Sequence, residues 1–233
     1  MSPQPVVVSW SGGKDSALAL AALRADTSYR PVALLTTVTR GYERISIHGV
    51  RRTLLHAQAA SVGLPLHEML LEPQSSNEAY EQALASSLEV LRATYPGVRH
   101  LAFGDLFLQD VRRYREERLP TMGFEPVFPL WGAPTAGLAR RFVAEGYRAR
   151  IVCVDTTLLP AAFAGRSFDA ALLDDLPPNV DPCGERGEFH TFVSAGPLFG
   201  PQIEYAIGEV VLREGRFAYC DLIGAADQHG KTE

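Results

Sequence analysis

The chain has 233 residues, 46% of them hydrophobic and 21% charged, with 22 lysines and arginines against 27 acidic side chains for a net charge of −5. That describes an ordinary globular protein with one large domain or a domain plus a smaller appendage, and it gives no global electrostatic case for a nucleic-acid partner. Three widely spaced cysteines, Cys153, Cys183 and Cys220, form neither a zinc pattern nor a disulfide framework and fit a reduced, cytoplasmic compartment. No apolar run approaches transmembrane length and no basic region precedes the first one, so no membrane partner is expected.

In chain order, the β-branched run Val6–Val8 predicts a buried strand and the alanine- and leucine-rich stretch Ala17–Ala25 a helix. Between them stands Ser11-Gly12-Gly13-Lys14-Asp15-Ser16. The glycines let the backbone turn tightly and approach a ligand, and the first helical turn then offers unpaired N–H groups that suit a phosphate. Lys14 adds a mobile positive charge, and Ser11 and Ser16 add hydroxyl donors. A Walker loop is excluded, because Val8 stands where its first glycine belongs and Asp15 follows Lys14.

Pro31–Thr39 is a second strand, followed by a mobile polar loop over Arg40–Ser46. A helix over Arg51–Val62 is closed by Gly63 and stopped by Pro65. Leu66–Leu71 is a third strand, Asn77–Tyr95 an amphipathic helix with Asn77 as N-cap, and His100–Gly104 a fourth strand. Asp110–Thr121 is a charged helix. A short run near Glu125–Leu130, a helix from Thr135 to Glu145 and a strand at Arg148–Val154 continue the alternation, which predicts an α/β fold: a parallel sheet with helices on both faces. Beyond the breaker Leu176–Val180 the helical period disappears. Phe189–Val193, Ile203–Leu212 and Phe217–Ile223 read as strands, with a hairpin turn at Glu214-Gly215 and a frayed tail from Ala225.

In an open parallel sheet, ligands collect where strand order reverses. If the first and fourth strands are neighbours, Gly104-Asp105 lies beside Ser11–Asp15. Asp105 is then a candidate for holding magnesium or orienting an amine, with helix capping as the plainer role. Asp15 is the other candidate carboxylate for metal. Four arginines follow within Asp110–Arg118. Arg112 and Arg115 share a face and are candidates for an anionic substrate, against the alternative of a solvated face. His48 would lie at the same sheet edge and is a candidate for nucleotide contact, as is Thr37 within the second strand. A satisfied loop histidine is the alternative for His48, and His56 and His67 read as structural. Asp181-Pro-Cys-Gly-Glu-Arg-Gly-Glu-Phe-His-Thr191 is the second concentrated motif. Its glycines permit Glu185 and Glu188 to be aimed into a cavity as ammonium ligands, bases or magnesium ligands, and His190 to shuttle protons near neutral pH, with a glycine-rich loop held by capping acids as the plainer role. Cys183 reads as a buried thiol.

The Ser-Gly-Gly-x-Asp-Ser loop resembles the PP-loop of ATP pyrophosphatases. Together with IHGVRRTLLHAQAASVGLPL at 47–66, FGDLFLQDVRRYREE at 103–117 and GERGEFHTFV at 184–193, the chain resembles the diphthine–ammonia ligase family from Val6 to about Leu222. The resemblance implies a HUP-type, Rossmann-like ATP-binding domain at 1–123 and a smaller α+β domain at 124–233 that completes the active-site cleft. It implies ATP and Mg²⁺, adenylation of a carboxylate with release of pyrophosphate, and attack by ammonia to give an amide and AMP. It places Lys14, Asp15, Asp105, Glu185, Glu188 and His190 in catalysis. Ser11, Gly12, Gly13, Lys14, Asp15, Ser16, Thr37, His48 and Gly104 would contact nucleotide, and Arg112, Arg115, Glu188 and Thr191 the substrate. The segment after the fourth strand is closer to bacterial relatives, whose hosts lack diphthamide. The expected substrate is therefore a small carboxylic acid, such as a corrinoid side chain, or a modified residue, with ammonia as co-substrate and a homodimer as one open assembly state. A tRNA sulfur or modification enzyme is the alternative within enzymes, weakened by the absence of a CxxC pair. An adenine-nucleotide sensor is the non-catalytic one.

Overall fold

The computed structural model describes residues 2–41, 44–45 and 49–228. His48, part of the loop expected at Arg40–Ser46 and the end of the expected tail lie outside the described residues. In chain order the elements begin with β1 (Gln4–Ser9), α1 (Lys14–Ala25), β2 (Tyr29–Thr39), the two-residue β3 (Arg44–Ile45), α2 (Arg52–Val62) and β4 (Leu66–Leu71). They continue with α3 (Asn77–Thr94), β5 (His100–Ala102), α4 (Gln109–Arg118), β6 (Glu125–Val127), α5 (Thr135–Ala144) and β7 (Arg148–Asp155). The chain closes with α6 (Ala170–Asp175), β8 (Phe189–Ala195), β9 (Tyr205–Arg213), β10 (Phe217–Gly224) and α7 (Ala225–Gln228). These fall into two compact units. One holds Met1–Ser11, Asp15–Glu43 and Leu64–Gly132, the other Gly12–Lys14, Arg44–Gly63 and Ala133–Glu233.

In the first unit five parallel strands run in the order β4-β2-β1-β5-β6. Val6, Val7 and Val8 are wholly buried, as an unbroken apolar run must be in a central strand covered on both faces. Leu84, Leu88 and Leu91 of α3, at helical spacing, join Val7, Leu35, Met69, Leu101, Phe103 and Phe124 in one core, each buried leucine contributing roughly 1.5–3 kcal/mol. The chain steps outward from β1 to β2 and β4, then returns to the far side of β1 for β5 and β6. The gap between β1 and β5 is thus the switch point, and the condition on which the placing of Gly104-Asp105 beside the glycine loop rested is fulfilled: Val6 lies opposite His100 and Val8 opposite Ala102.

Among the boundaries that differ from the sequence reading, two have a plain physical reason. Ser76, not Asn77, caps α3: Ser76 has extended backbone and its hydroxyl accepts the Ala79 N–H at 3.3 Å, while Asn77 is already helical. α4 stops at Arg118 and continues as a 3₁₀ turn, Leu119–Met122, because Pro120 has no N–H to extend the helical ladder; Gly123, at φ 76°, closes it.

The second unit contains an antiparallel sheet of order β8-β7-β10-β9. β7, expected to extend the parallel sheet, belongs here instead, antiparallel to both β8 and β10. Its nearly continuous buried run reads the same in either setting, and only its partners distinguish the two. The β9–β10 hairpin turns where expected, with Glu214 and Gly215 both at positive φ, 52° and 62°. α2 ends on Gly63 in the left-handed region, its N–H returned to Ala59 and Ala60 carbonyls.

Candidate active site

The loop after β1 is built by close backbone approaches. Gly12 has φ +75°, and a Cβ on it would stand 2.6 Å from Gln58 Oε1 and 3.0 Å from Leu55 Cδ2. The Gly12 carbonyl accepts the Val193 N–H at 2.9 Å and the Gln58 side-chain amide, also at 2.9 Å; the same amide donates to the Val193 carbonyl at 2.6 Å. Two residues on, the Lys14 N–H donates to Thr191 Oγ1 at 3.1 Å. Strand β8, carrying Phe-His-Thr-Phe-Val, is therefore fastened along Gly12–Lys14.

Lys14 is not the mobile charge that the sequence suggested. Its side chain is buried, its ammonium donates to the Cys183 carbonyl, and it lies 5.8 and 5.5 Å from the ring centroids of Phe168 and Phe189. A carbonyl and two π faces compensate the lost hydration and hold the charge in place.

In the first unit Gly104 packs against the start of α1. A Cβ there would stand 2.7 Å from the Asp15 carbonyl carbon and 3.0 Å from the Ser16 nitrogen. The Ser11 hydroxyl lies 3.3 Å from that of Ser16. Asp105 and Arg115, expected in separate roles, instead pair with each other through two hydrogen bonds, at 2.6 and 3.2 Å, with the guanidinium 3.7 Å above the Phe103 ring. Arg112 bonds Glu116 at 2.6 Å and stacks over Phe128 and Trp131. Thr37 is half-buried in β2 opposite Met69. Its neighbour Thr36 has a buried hydroxyl with no hydrogen-bond partner among the described residues.

The acidic segment before β8 is folded by its own carboxylates. Glu188 Oε1 accepts the Asp181 N–H and Oε2 the Arg186 N–H, both at 2.9 Å. Asp181 Oδ1 accepts the N–H groups of Cys183 at 2.8 Å and Glu185 at 3.4 Å, and Oδ2 the Thr135 hydroxyl at 2.8 Å. Both carboxylates are buried, and these donors replace their hydration. Glu188 thus shapes the loop that carries the half-buried Glu185. Gly184 is at φ +67°, where a Cβ would lie 2.7 Å from the Phe189 carbonyl oxygen.

Burial, and then the nearby Lys14 charge, lowers the His190 imidazole to about 4. It is neutral at neutral pH, not poised to change charge there. The unfolded chain, with an ordinary histidine near 6.5, binds more protons than the folded one between those values. The contribution is zero above about pH 6.5, becomes a growing destabilisation as pH falls, and levels off below about 4. Thermal unfolding of the protein between pH 7 and 4 is expected to show this loss, on the order of 2–3 kcal/mol, and His190→Gln should lose that part of the pH dependence. Identical pH profiles would refute it.

Gln58 is the functional-site residue that the sequence reading missed. The signal was there: a fully polar side chain within the buried stripe Leu54, Leu55, Gln58, Ala59, Val62 of α2. Phe168 carried no comparable mark. Among the described residues no group of three or more His, Cys, Asp or Glu is disposed to hold a metal, and no helix is long and apolar enough to cross a membrane.

A five-stranded parallel sheet, with a glycine turn and a helix N-terminus at its switch point, defines an α/β protein of the HUP type. The chain matches the family described as Diphthamide synthase N-terminal domain over residues 4–123 and that described as Diphthamide synthase C-terminal domain over residues 135–222. It belongs to the diphthamide synthase family. It is also similar to a protein named ferrochelatase from Rippkaea orientalis (strain PCC 8801 / RF-1), at 26% identity over 135 residues, 57% of this chain. The chain spans about a third of the length of that curated relative, the match taking in 33% of it.

Proposed function

We propose that the protein is an ATP pyrophosphatase-type ligase that converts a carboxylic acid to its amide. A carboxylate oxygen attacks the α-phosphorus of ATP, the bond to the β-phosphate oxygen breaks and pyrophosphate leaves. Ammonia then attacks the acyl carbon, the bond to the AMP oxygen breaks, and amide, AMP and a proton are released. The observation that carries this reading is the direct bonding of Gly12–Lys14 to Thr191 and Val193, which unites the phosphate loop with the second motif that marks the family.

The division of labour follows from the side chains. The loop amides other than that of Lys14, which donates to Thr191, and the hydroxyls of Ser11 and Ser16 would hold phosphate oxygens, and the buried Lys14 ammonium supplies a fixed positive charge. Gly104 keeps a Cβ out of the space against Asp15. Asp105 has both oxygens engaged by Arg115, so Asp15 is the carboxylate that would hold magnesium beside the phosphates, an arrangement that needs only one or two carboxylates. Magnesium there would neutralise charge developing on the departing pyrophosphate. Glu185, on the loop set by Glu188 and Asp181, would serve as ammonium ligand and base, and neutral His190 as a hydrogen-bonding group. Arg112 is the proposed contact for a small anionic acid, in preference to diphthine, while Arg115, expected in the same role, is held by Asp105.

With ATP, Mg²⁺, ammonium and a panel of small carboxylic acids, the protein should form AMP and pyrophosphate only when a suitable acid is present. ADP as product, or nucleotide binding without turnover on any acid, would overturn the reading, the latter in favour of a sensor. Glu188→Ala removes two bonds that set the loop and should lower turnover by about 10²-fold or more, as ångström-scale misplacement does. Full activity in that variant would take the second motif out of the mechanism.

A further inference from the structure

β9 ends the antiparallel sheet, and among the described residues no strand pairs with its outer edge. Four of its apolar side chains stand in water: Ile207, Val210, Val211 and Leu212 are 53, 50, 38 and 56% exposed. A bulge opposite Asp221 brings Ile207 to the same side as Val210 and Leu212, across from Leu222, Cys220 and Ala218, all of them buried. The row therefore extends the core side of the sheet past its last covered strand. β9 also carries no proline or lysine to blunt its unpaired N–H and C=O groups.

We infer that β9 pairs with β9 of a second copy of this chain, antiparallel about a two-fold axis, joining two four-stranded sheets into one of eight strands. Charge selects the register. Outward-facing backbone must meet outward-facing backbone, so the axis passes through a residue rather than between two. On Glu209 it would oppose two like carboxylates. On Val210 it would set Glu209 against Val211 and Gly208 against Leu212. On Val211 it places Glu209 opposite Arg213 of the other copy, twice, with Val211 against its own counterpart and Val210 against Leu212. That register satisfies both charges and covers three of the four exposed side chains.

Sedimentation of the full chain over a concentration series tests this. The wild type should dimerise, and Val211→Lys, which opposes two ammonium groups across the axis, should associate roughly tenfold more weakly or less. Glu209→Arg alone should weaken association similarly, and Glu209→Arg with Arg213→Glu should restore it. All these positions are exposed, so unchanged thermal midpoints verify the fold. Under oxidation Val211→Cys should give a covalent dimer, since the native Cys153, Cys183 and Cys220 are buried. A monomer at every concentration, a dimer indifferent to Val211→Lys, or failure of the double reversal to restore association would each overturn the proposal.

Discussion

Gly104→Ala is expected to destabilise the protein by about 3 kcal/mol and to abolish AMP formation. The new methyl would sit 2.7 Å from the carbonyl carbon and 2.8 Å from the carbonyl oxygen of Asp15. These are backbone atoms at the start of a helix, so no side-chain rotation relieves the overlap. Gly104 is not at positive φ, and the cost is therefore steric rather than conformational. Relief requires the end of β5 to move away from α1, which displaces the helix N-terminus proposed to bind phosphate. Urea denaturation should show a lower midpoint with an unchanged slope. A wild-type midpoint together with wild-type turnover would mean that the approach is not needed.

Gln58→Glu should be nearly as damaging although it keeps the shape. The side-chain amide donates to two carbonyls, those of Gly12 and Val193, from a wholly buried position. A carboxylate there faces two acceptors and has no proton to give. Holding it protonated at pH 7, against an ordinary glutamate near 4.3, costs about 4 kcal/mol, and one of the two bonds is still lost. The folded-state pKa of the new group is raised, so the penalty must shrink as pH falls towards about 4.3 and grow as it rises. Thermal unfolding of the variant relative to wild type at pH 5 and 7 measures it; a difference that does not change with pH would contradict the bonding described for this residue.

The two effects illustrate what was readable beforehand. Adjacency of β1 and β5, and hence of Gly104 and the phosphate loop, could be posed from the sequence only as a condition, because strand alternation predicts a parallel sheet but not the order of its strands. The cap at Gly63 and the turn at Glu214-Gly215 were plain, because turn geometry depends on a few successive residues. Gln58 is visible in the sequence as a polar break in an apolar stripe, but that break does not say which carbonyls its amide meets. The pairing of Asp105 with Arg115 was hidden among four arginines of one short helix. Spacing along α4 says which residues share a face, but not which carboxylate that face meets. Glu188 differs: a glycine-rich loop with capping acids was one of two readings of this segment, and only the fold shows that Glu188 takes that role by accepting two of the loop's N–H groups.

What the sequence by itself determined is local or periodic: the strand–glycine turn–helix of Ser11–Ser16, the alternation that builds a parallel sheet, the hairpin, and the two motifs that mark the family. These depend on backbone preferences and hydrophobic period within a few residues. The tertiary structure alone decided that β7 joins the antiparallel sheet, that Lys14 is buried against Cys183, Phe168 and Phe189, and that His190 is neutral. A strand's partners and a side chain's charge state are set by neighbours far away in the chain, through desolvation and hydrogen bonding that no local pattern encodes.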